Sequence, residues 1–561
     1  MNAARSAEGR QLRTTRFLLA TLALYAALAA VMTYPQFLHL TDAVHDDGDP
    51  LLNAWALAWV AHQLPIAPAH LFDANTFYPE RRTLAFSETL IVPATIVAPL
   101  RWIGVGPLLV YNVVFLSGFI VSGAGVALLV RSLTDNAAAG VIAGIVFAFL
   151  PYRIDHYPHL QLQQTQCLPF AFWAFHRLLG SGRLRDGALF GLFTAGQVLS
   201  CMYYGLFLVP YMAVVCGTLL VAERRMTRQR VTAIALAGAI TLVAVIPVGA
   251  AYIGARRIVG ERSEEEVARG SATLANYLGP PEANLLYGEL LKPFANGERR
   301  LFPGFVAMAL AAIGLTGLIG RRPTSHQYWP ILAYGLGLLL AFDLSLGFNG
   351  ISYRLLYAYV LPFRGLRIPA RMGIIVGFSL AIVAGFGTER LLHGDRRPWM
   401  AVAIALLMLL EYASKPLDLQ QLPSAPPESY ADVIKDRGDS PTTVLFEYPA
   451  SAVDDPTYMY YSTFHWQHLV NGYSGFFPPS YGRVLHAMRG FPDQTSIDAI
   501  KGHGARYLLI HGERLFGARY EELIPELEKR RDLTLVSRRP AVGPDGHKEI
   551  SVYRVSYADA K

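Results

Sequence analysis

Apolar runs of membrane-crossing length recur along the chain, near residues 17–35, 107–130, 136–152, 162–179, 186–203, 205–222, 231–252, 303–320, 328–346, 372–390 and 398–413. A hydrocarbon core ~30 Å thick needs roughly 17 to 25 helical residues, so the pattern predicts about 11 transmembrane helices. One further run, "ETLIVPATIVAPLRWIG" over about 88–103, is shorter and holds two prolines. It predicts a segment that dips into or lies on the outer leaflet without crossing. After about Ala413 the pattern changes. A Pro-rich "LPSAPPES" linker is followed by the β-branched and aromatic runs "TTVLFEYP", "ARYLLIHG" and "EISVYRVS", and by "EELIPELEKRRD", an amphipathic helix. The expected fold is an α-helical polytopic membrane domain over 1–414 and a C-terminal α/β extracytoplasmic domain over 415–561.

Composition agrees. Charged residues make up 16% of the 561 positions and hydrophobic ones 53%, against about a quarter charged in soluble domains. The net charge of +7 does not point to nucleic acid, because Arg and Lys come in short groups between apolar runs. Those groups are Arg5/Arg10/Arg13/Arg16, Arg177/Arg183/Arg185, Arg224/Arg225/Arg228/Arg230, Arg321/Arg322 and Arg390/Arg396/Arg397. They follow every second segment and place the N-terminus and these links in the cytoplasm. An uncleaved first helix is favoured over a signal peptide ending at "AALAA". The outer face then receives 36–106, the turn around 152–162, 253–302, 347–371 and the tail. Cys167, Cys201 and Cys216 all lie in apolar runs and read as small core residues.

Three polar groups fall on that face. "HDDGDPLLNAWALAWVAHQ" opens with Asp46, Asp47 and Asp49 around Gly48, just before a helix that starts at Pro50. One aspartate suffices to cap the helix. Clustered carboxylates beyond that need suit a general base or oxygen ligands for a divalent cation, Mg or Mn. "PYRIDHYPHLQLQQTQ" sets Arg153, Asp155, His156 and His159 among glutamines at a helix junction, a costly arrangement unless it lines a wet cavity. Pro158 breaks the spacing that would make the histidines a zinc pair, so they predict hydrogen bonding to a polar ligand. "RLLYAYVLPFRGLRIPARMG" carries Arg354, Arg364, Arg367 and Arg371 without an acidic residue. Guanidinium forks match phosphate oxygens, so the run predicts a lipid phosphate or diphosphate site; plain attraction to headgroups is the alternative. The loop 253–302, with "SEEEVARG", reads as a solvated cover. "YMYYSTFHWQHLVNGYSGFFPPSYGR" presents flat rings with a few polar partners, suited to sugars or to packing.

These features together resemble the GT-C superfamily of polytopic glycosyltransferases: an acidic loop after the first helix ("DDGDP"), a polar junction after a later one ("PYRIDHYPH"), and an outer C-terminal domain. "DPLLNAWALAW", "FDANTFYP", "LRIPARMG" and "LVNGYSGFFPPSY" are similar to phrases in a bacterial branch loosely grouped there. The resemblance implies a multi-pass protein of the bacterial inner membrane with a periplasmic tail. It implies transfer of a sugar, inverting or retaining, from a polyprenyl-phosphate-linked donor to a glycan, lipid or protein acceptor. Asp47 or Asp49 would be the catalytic base or, with a divalent cation, the metal ligands. Asp46, Arg153, His156, His159, Arg364, Arg367 and Arg371 would bind substrate, and the acidic and basic groups would meet at one hollow beside the bilayer. A transporter or lipid flippase is the competing class, and a non-catalytic scaffold a third.

Overall fold

The structure is a computed structural model that describes residues 2–223, 226–320, 326–392, 398–515, 519–541 and 548–557, with side chains from residue 12 onward. Arg224, Arg225, Arg321, Arg322, Arg396 and Arg397 of the basic links lie outside the described residues, as do the side chains of Arg5 and Arg10. The chain divides into two compact units: Met1–Leu38, Val113–Val248 and Glu261–Asp418 form one, and His39–Asn112, Gly249–Gly260 and Leu419–Lys561 the other.

The first unit is helical. Among the described residues of the whole chain, seven helices are long and apolar enough to cross a membrane: Leu12–Met32, Pro107–Thr134, Ala137–Asp155, Met202–Ala222, Arg228–Val259, Tyr328–Ser345 and Pro369–Leu391. The chain is thus a multi-pass membrane protein. Each remaining apolar run read from the sequence also holds a helix, at Cys167–Ser181, Leu184–Ser200, Phe305–Leu315 and Pro398–Tyr412. Helices form here because hydrocarbon offers no partner to a free amide or carbonyl. Gly373–Leu391 is the centre of the unit, buried at every position from Gly373 to Glu389. Small residues let its neighbour approach: a Cβ on Gly387 would stand 1.8 Å from the Leu310 carbonyl oxygen, and one on Gly314 2.2 Å from that of Val383. The neighbouring helix Phe305–Leu315 is capped by buried Glu411, whose carboxylate accepts from the amides of Phe305 (2.6 Å) and Val306 (3.1 Å).

The second unit is built on a five-stranded mixed sheet of β1 (Val444–Tyr448), β2 (His468–Leu469), β3 (Tyr507–His511), β4 (Leu533–Ala541) and β5 (Lys548–Val555), in the order β2-β1-β3-β5-β4. β1 runs parallel to β2 and β3, and β5 antiparallel to β3 and β4. The three strand-like runs of the tail are β1, β3 and β5, and "EELIPELE" lies in the helix Arg519–Glu528. The chain from Asn75 to Tyr78 joins this sheet at β2: Leu469 N–H donates to Asn75 O (2.7 Å), Tyr78 N–H to Leu469 O (2.8 Å) and Phe77 N–H to Asn471 O (3.0 Å). Phe77 and Phe86 enter one core with Phe446, Val470, Tyr481 and Leu508. Besides the tail from Leu419, this unit takes in 39–112 and 249–260. The proline-bearing run forms Ile91–Trp102, whose 12 residues span only about 18 Å at 1.5 Å each, too short to cross as a regular helix.

At the C-terminal ends of β1 and β3, buried His511 lies between Glu447 (2.7 Å) and Glu513 (2.8 Å). Burial opposes its charge, but the carboxylates outweigh burial and raise it to about 9. Burial also raises Asp455 to about 8, despite bonds from Tyr481 (2.5 Å) and Asn471 (2.9 Å). The ion pair at His511 contributes fully below the unfolded value near 6.5 and is lost as pH climbs through about 9. Asp455 acts with the same sign at lower pH, since its buried carboxyl must ionise as pH approaches 8. The unfolding midpoint of this unit, followed by near-UV circular dichroism, should therefore fall from pH 6.5 to 9. His511→Asn should flatten that part of the slope, and a flat wild-type profile would contradict the assignment.

Candidate active site

The helical unit gathers charge where four segments meet. The helix Pro151–Asp155 ends at His156, and a turn leads to Leu160–Gln163, as Pro158 requires. Against it lie 297–300 and the turn Pro369–Met372, whose Arg371 carbonyl accepts from Tyr152 Oη (3.4 Å); the helix Glu264–Arg269, with its Ser263/Glu266 capping box, adjoins that turn, Ala370 N–H donating to Gly270 O (3.1 Å). Arg300 bridges Asp155 and Glu282, both at 2.8 Å. Arg371, only 6% exposed, grips Glu298 through Nε (2.9 Å) and Nη2 (2.7 Å), and its guanidinium lies over the Tyr203 ring at 5.1 Å. Burial works to raise the Glu298 carboxyl, but the Arg371 guanidinium, the largest opposing influence, outweighs it and holds it at about 2. His156 and His159 stand edge to face, 5.3 Å between ring centres. Burial, then the neighbouring His159, pushes His156 well below its ordinary value, so its ring is neutral.

The four arginines of the basic run have separate positions. Arg354 donates to Phe348 O (2.9 and 2.6 Å), and Arg364 to Tyr357 O (3.2 Å) and Ala358 O (3.1 Å). Arg371 is held by Glu298. Arg367 differs in spending no side-chain donor on a nearby carbonyl among the described residues: its side chain is 44% exposed and 3.9 Å from Glu298, and its backbone amide and that of Ile368 donate to Tyr203 Oη (2.6 and 3.1 Å). Arg262, paired with Glu266 at 3.3 Å, adds positive charge near it. Arg153 is fully buried. It donates to Thr165 Oγ1 (2.7 Å), Gly118 O (2.8 Å) and Gln163 O (3.0 Å), and lies over Phe119 at 4.9 Å. It braces the 156–166 turn from inside. Glu298, Arg300 and Arg262, which complete the cluster, come from 253–302, where the sequence suggested only a cover; the signal was "NGERR", charges of both signs in a short loop.

In the other unit, the helix Asp49–Ile66 starts as read, with Pro in its first turn, but Gly48 is the N-cap and no side chain caps it. Asp46 Oδ1 accepts from Gly48 N (2.8 Å), closing the tight turn, and Asp49 Oδ1 accepts from Tyr473 Oη (2.8 Å). Asp47 is half-buried and makes no hydrogen bond or ion pair among the described residues. Among the described residues, no three His, Cys, Asp or Glu side chains are gathered as metal ligands, and a cation held by Asp47 and Asp49 would have to share Asp49 with Tyr473.

No protein-family model and no curated protein matches the chain. The chain is similar in structure to oligosaccharyltransferases. The apo enzyme of Archaeoglobus fulgidus superposes over 97% of this chain and 75% of its own, with a TM-score of 0.49 and 12% identity. AglB from the same organism, solved with an inhibitory peptide and a dolichol-phosphate, gives 0.48 and 13% over the same shares. ArnT from Cupriavidus metallidurans, also apo, gives 0.39 and 11% over 95% of this chain and 97% of its own. At this level the likeness is one of outline, and the functional reading is carried by the side chains.

Proposed function

We propose that this membrane protein is a glycosyltransferase that moves a sugar from a polyprenyl-phosphate-linked donor to an extracytoplasmic glycan, lipid or protein acceptor, with Asp47 as general base. The observation that carries the reading is the division of labour in the acidic turn: Asp46 closes it and Asp49 holds Tyr473, which leaves the Asp47 carboxylate uncommitted at a half-buried position. A carboxylate so placed accepts a proton from an acceptor hydroxyl as that oxygen attacks the anomeric carbon. The bond from that carbon to the phosphate oxygen breaks, and its electron pair leaves on the phosphate.

Phosphate binding falls to Arg367, an exposed guanidinium beside the Arg371/Glu298 pair, with Arg262 adding positive charge. Arg371 and Glu298 hold the turn beneath it, and His156 and His159 flank that pair. A bond from Arg367 that strengthens as charge develops on the leaving phosphate stabilises the transition state.

The test is sugar transfer by the full chain in nanodiscs, using polyprenyl-phosphate donors with labelled sugars. Wild-type protein should transfer label from at least one donor. Arg367→Gln should weaken donor affinity about 10- to 100-fold, the worth of a hydrogen bond to a charged group. Unchanged affinity would remove Arg367 from phosphate binding. Movement of the lipid-linked sugar across the bilayer without any transfer would replace the enzyme with a flippase.

A further inference from the structure

The sheet-bearing unit contains a cavity of about 470 Å³ that the proposed chemistry does not use. It lies at the N-terminal ends of β1 and β2, away from the Glu447/His511 pair. Its lining includes Trp59, His62, Arg437, His465, Trp466 and His468. The volume is in the range of small-molecule sites.

The floor is rigid. Asn75 Oδ1 accepts from Trp55 Nε1 (3.0 Å), and Asn75 Nδ2 donates to Gln467 O (3.0 Å). Gln467 Oε1 accepts from Thr443 N (2.8 Å), and Gln467 Nε2 donates to His465 O (2.8 Å). On this base Trp466 adopts φ 57°, left-handed backbone that a bulky residue rarely takes. Its indole lies parallel to the His62 ring, 4.0 Å between centres and 10° between planes, and 6.1 Å from Trp59. Packing alone does not require an indole there, since glycine would suit this backbone better.

The polar groups around this platform are left with hydrogen-bonding capacity. His465, 8% exposed, accepts from Gln467 N at Nδ1 (3.1 Å). Its proton therefore sits on Nε2 in the neutral ring, and burial, which pushes this histidine down to about 3, keeps it neutral. That Nε2 is buried and has no partner among the described residues, nor has Nδ1 of His468 or Nε of Arg437, whose Nη1 donates to Ser440 O. Buried polar atoms without partners are uncommon and call for an account. Asp73, the one carboxylate in the lining, is occupied by the Arg82 amide (3.0 Å) and His70 (3.3 Å).

We infer that this cavity binds a saccharide, with the aliphatic face of a sugar ring on Trp466 and its hydroxyl groups bonded to His465, His468 and Arg437. A purely apolar ligand would leave those groups unpaired. The inference does not rest on the transferase reading.

The test uses saturation-transfer NMR on the full chain in nanodiscs with glucose, galactose, N-acetylglucosamine and glucuronate as probes. Ring protons of at least one sugar should receive saturation. Trp466→Gly removes the indole while favouring the same backbone and should weaken binding roughly tenfold, the scale of a ring-stacking contact. His465→Phe keeps the stacked ring and removes the donor, and should also weaken it. Asp47→Asn should retain sugar binding while transfer is lost, which separates this proposal from the catalytic one. No saturation with any of the four sugars, or equal saturation in wild type, Trp466→Gly and His465→Phe, would overturn it.

Discussion

Asp47→Asn should lower the turnover of sugar transfer by about 10²–10⁴-fold, the usual contribution of a general base, with donor KM little changed. The substitution keeps the shape of the side chain and removes its basicity. Among the described residues Asp47 has no hydrogen bond to lose, so the fold loses little when its charge is removed. Asp49→Asn is the informative companion, because an amide oxygen can still accept from Tyr473, which now meets Asp49 at 2.8 Å. It should cost less turnover than Asp47→Asn if Asp49 only positions the turn. Initial rates with a labelled lipid-linked sugar in nanodiscs give both numbers. Full activity in Asp47→Asn would take the carboxylate out of the mechanism, and the reverse ranking would move the base to Asp49.

Arg153→Leu should destabilise the helical unit by about 3 kcal/mol or more. The leucine leaves three buried acceptors, Gly118 O, Gln163 O and Thr165 Oγ1, without the guanidinium donors they now have. Gln163 O keeps the Thr165 amide (3.0 Å) and Thr165 Oγ1 keeps Ser122 Oγ (2.9 Å), so the cost is that of three lost bonds to a charged donor, about 1.5–3 kcal/mol each and partly compensated. Gln163 also donates to the carbonyls of Arg153 (2.9 Å) and His156 (2.8 Å), so loosening Arg153 loosens the strand of chain that carries both histidines. Arg153→Lys should fall between, since an ammonium cannot fork as a guanidinium does. Cys167, Cys201 and Cys216 form no disulfide among the described residues and are partly or fully buried, so thermal unfolding can be followed by thiol labelling in detergent. A midpoint unchanged in Arg153→Leu would mean the guanidinium is not the brace described here.

Arg153 also shows where residue-by-residue reading stops. Beside His156 and His159 in the sequence it looks like a ligand-binding group, but its side chain turns inward to carbonyls, while the histidines stand near Glu298. The basic run likewise has no acid within it, yet the partner of Arg371 is Glu298, 73 positions earlier. Arg354 and Arg364 spend their donors on nearby carbonyls. A sequence reveals that four guanidinium groups lie in one loop, and only their surroundings single out Arg367.

Local pattern was sufficient for everything that depends on local chemistry. Long apolar runs become helices because a lipid-facing backbone has no other way to pair its amides, and β-branched runs between turn residues become strands. Hence the multi-pass helical architecture, the non-crossing length of Ile91–Trp102 and three strands of the terminal sheet could be read directly from the chain. Pairing across the chain could not. That the segment after the first helix adds its backbone to β2, that Asp49 meets Tyr473 424 positions away, and that 39–112 belongs with the tail were decided by tertiary structure. Hydrogen bonds and ion pairs act over a few ångströms of space, and one dimension of sequence carries no record of which distant groups come that close.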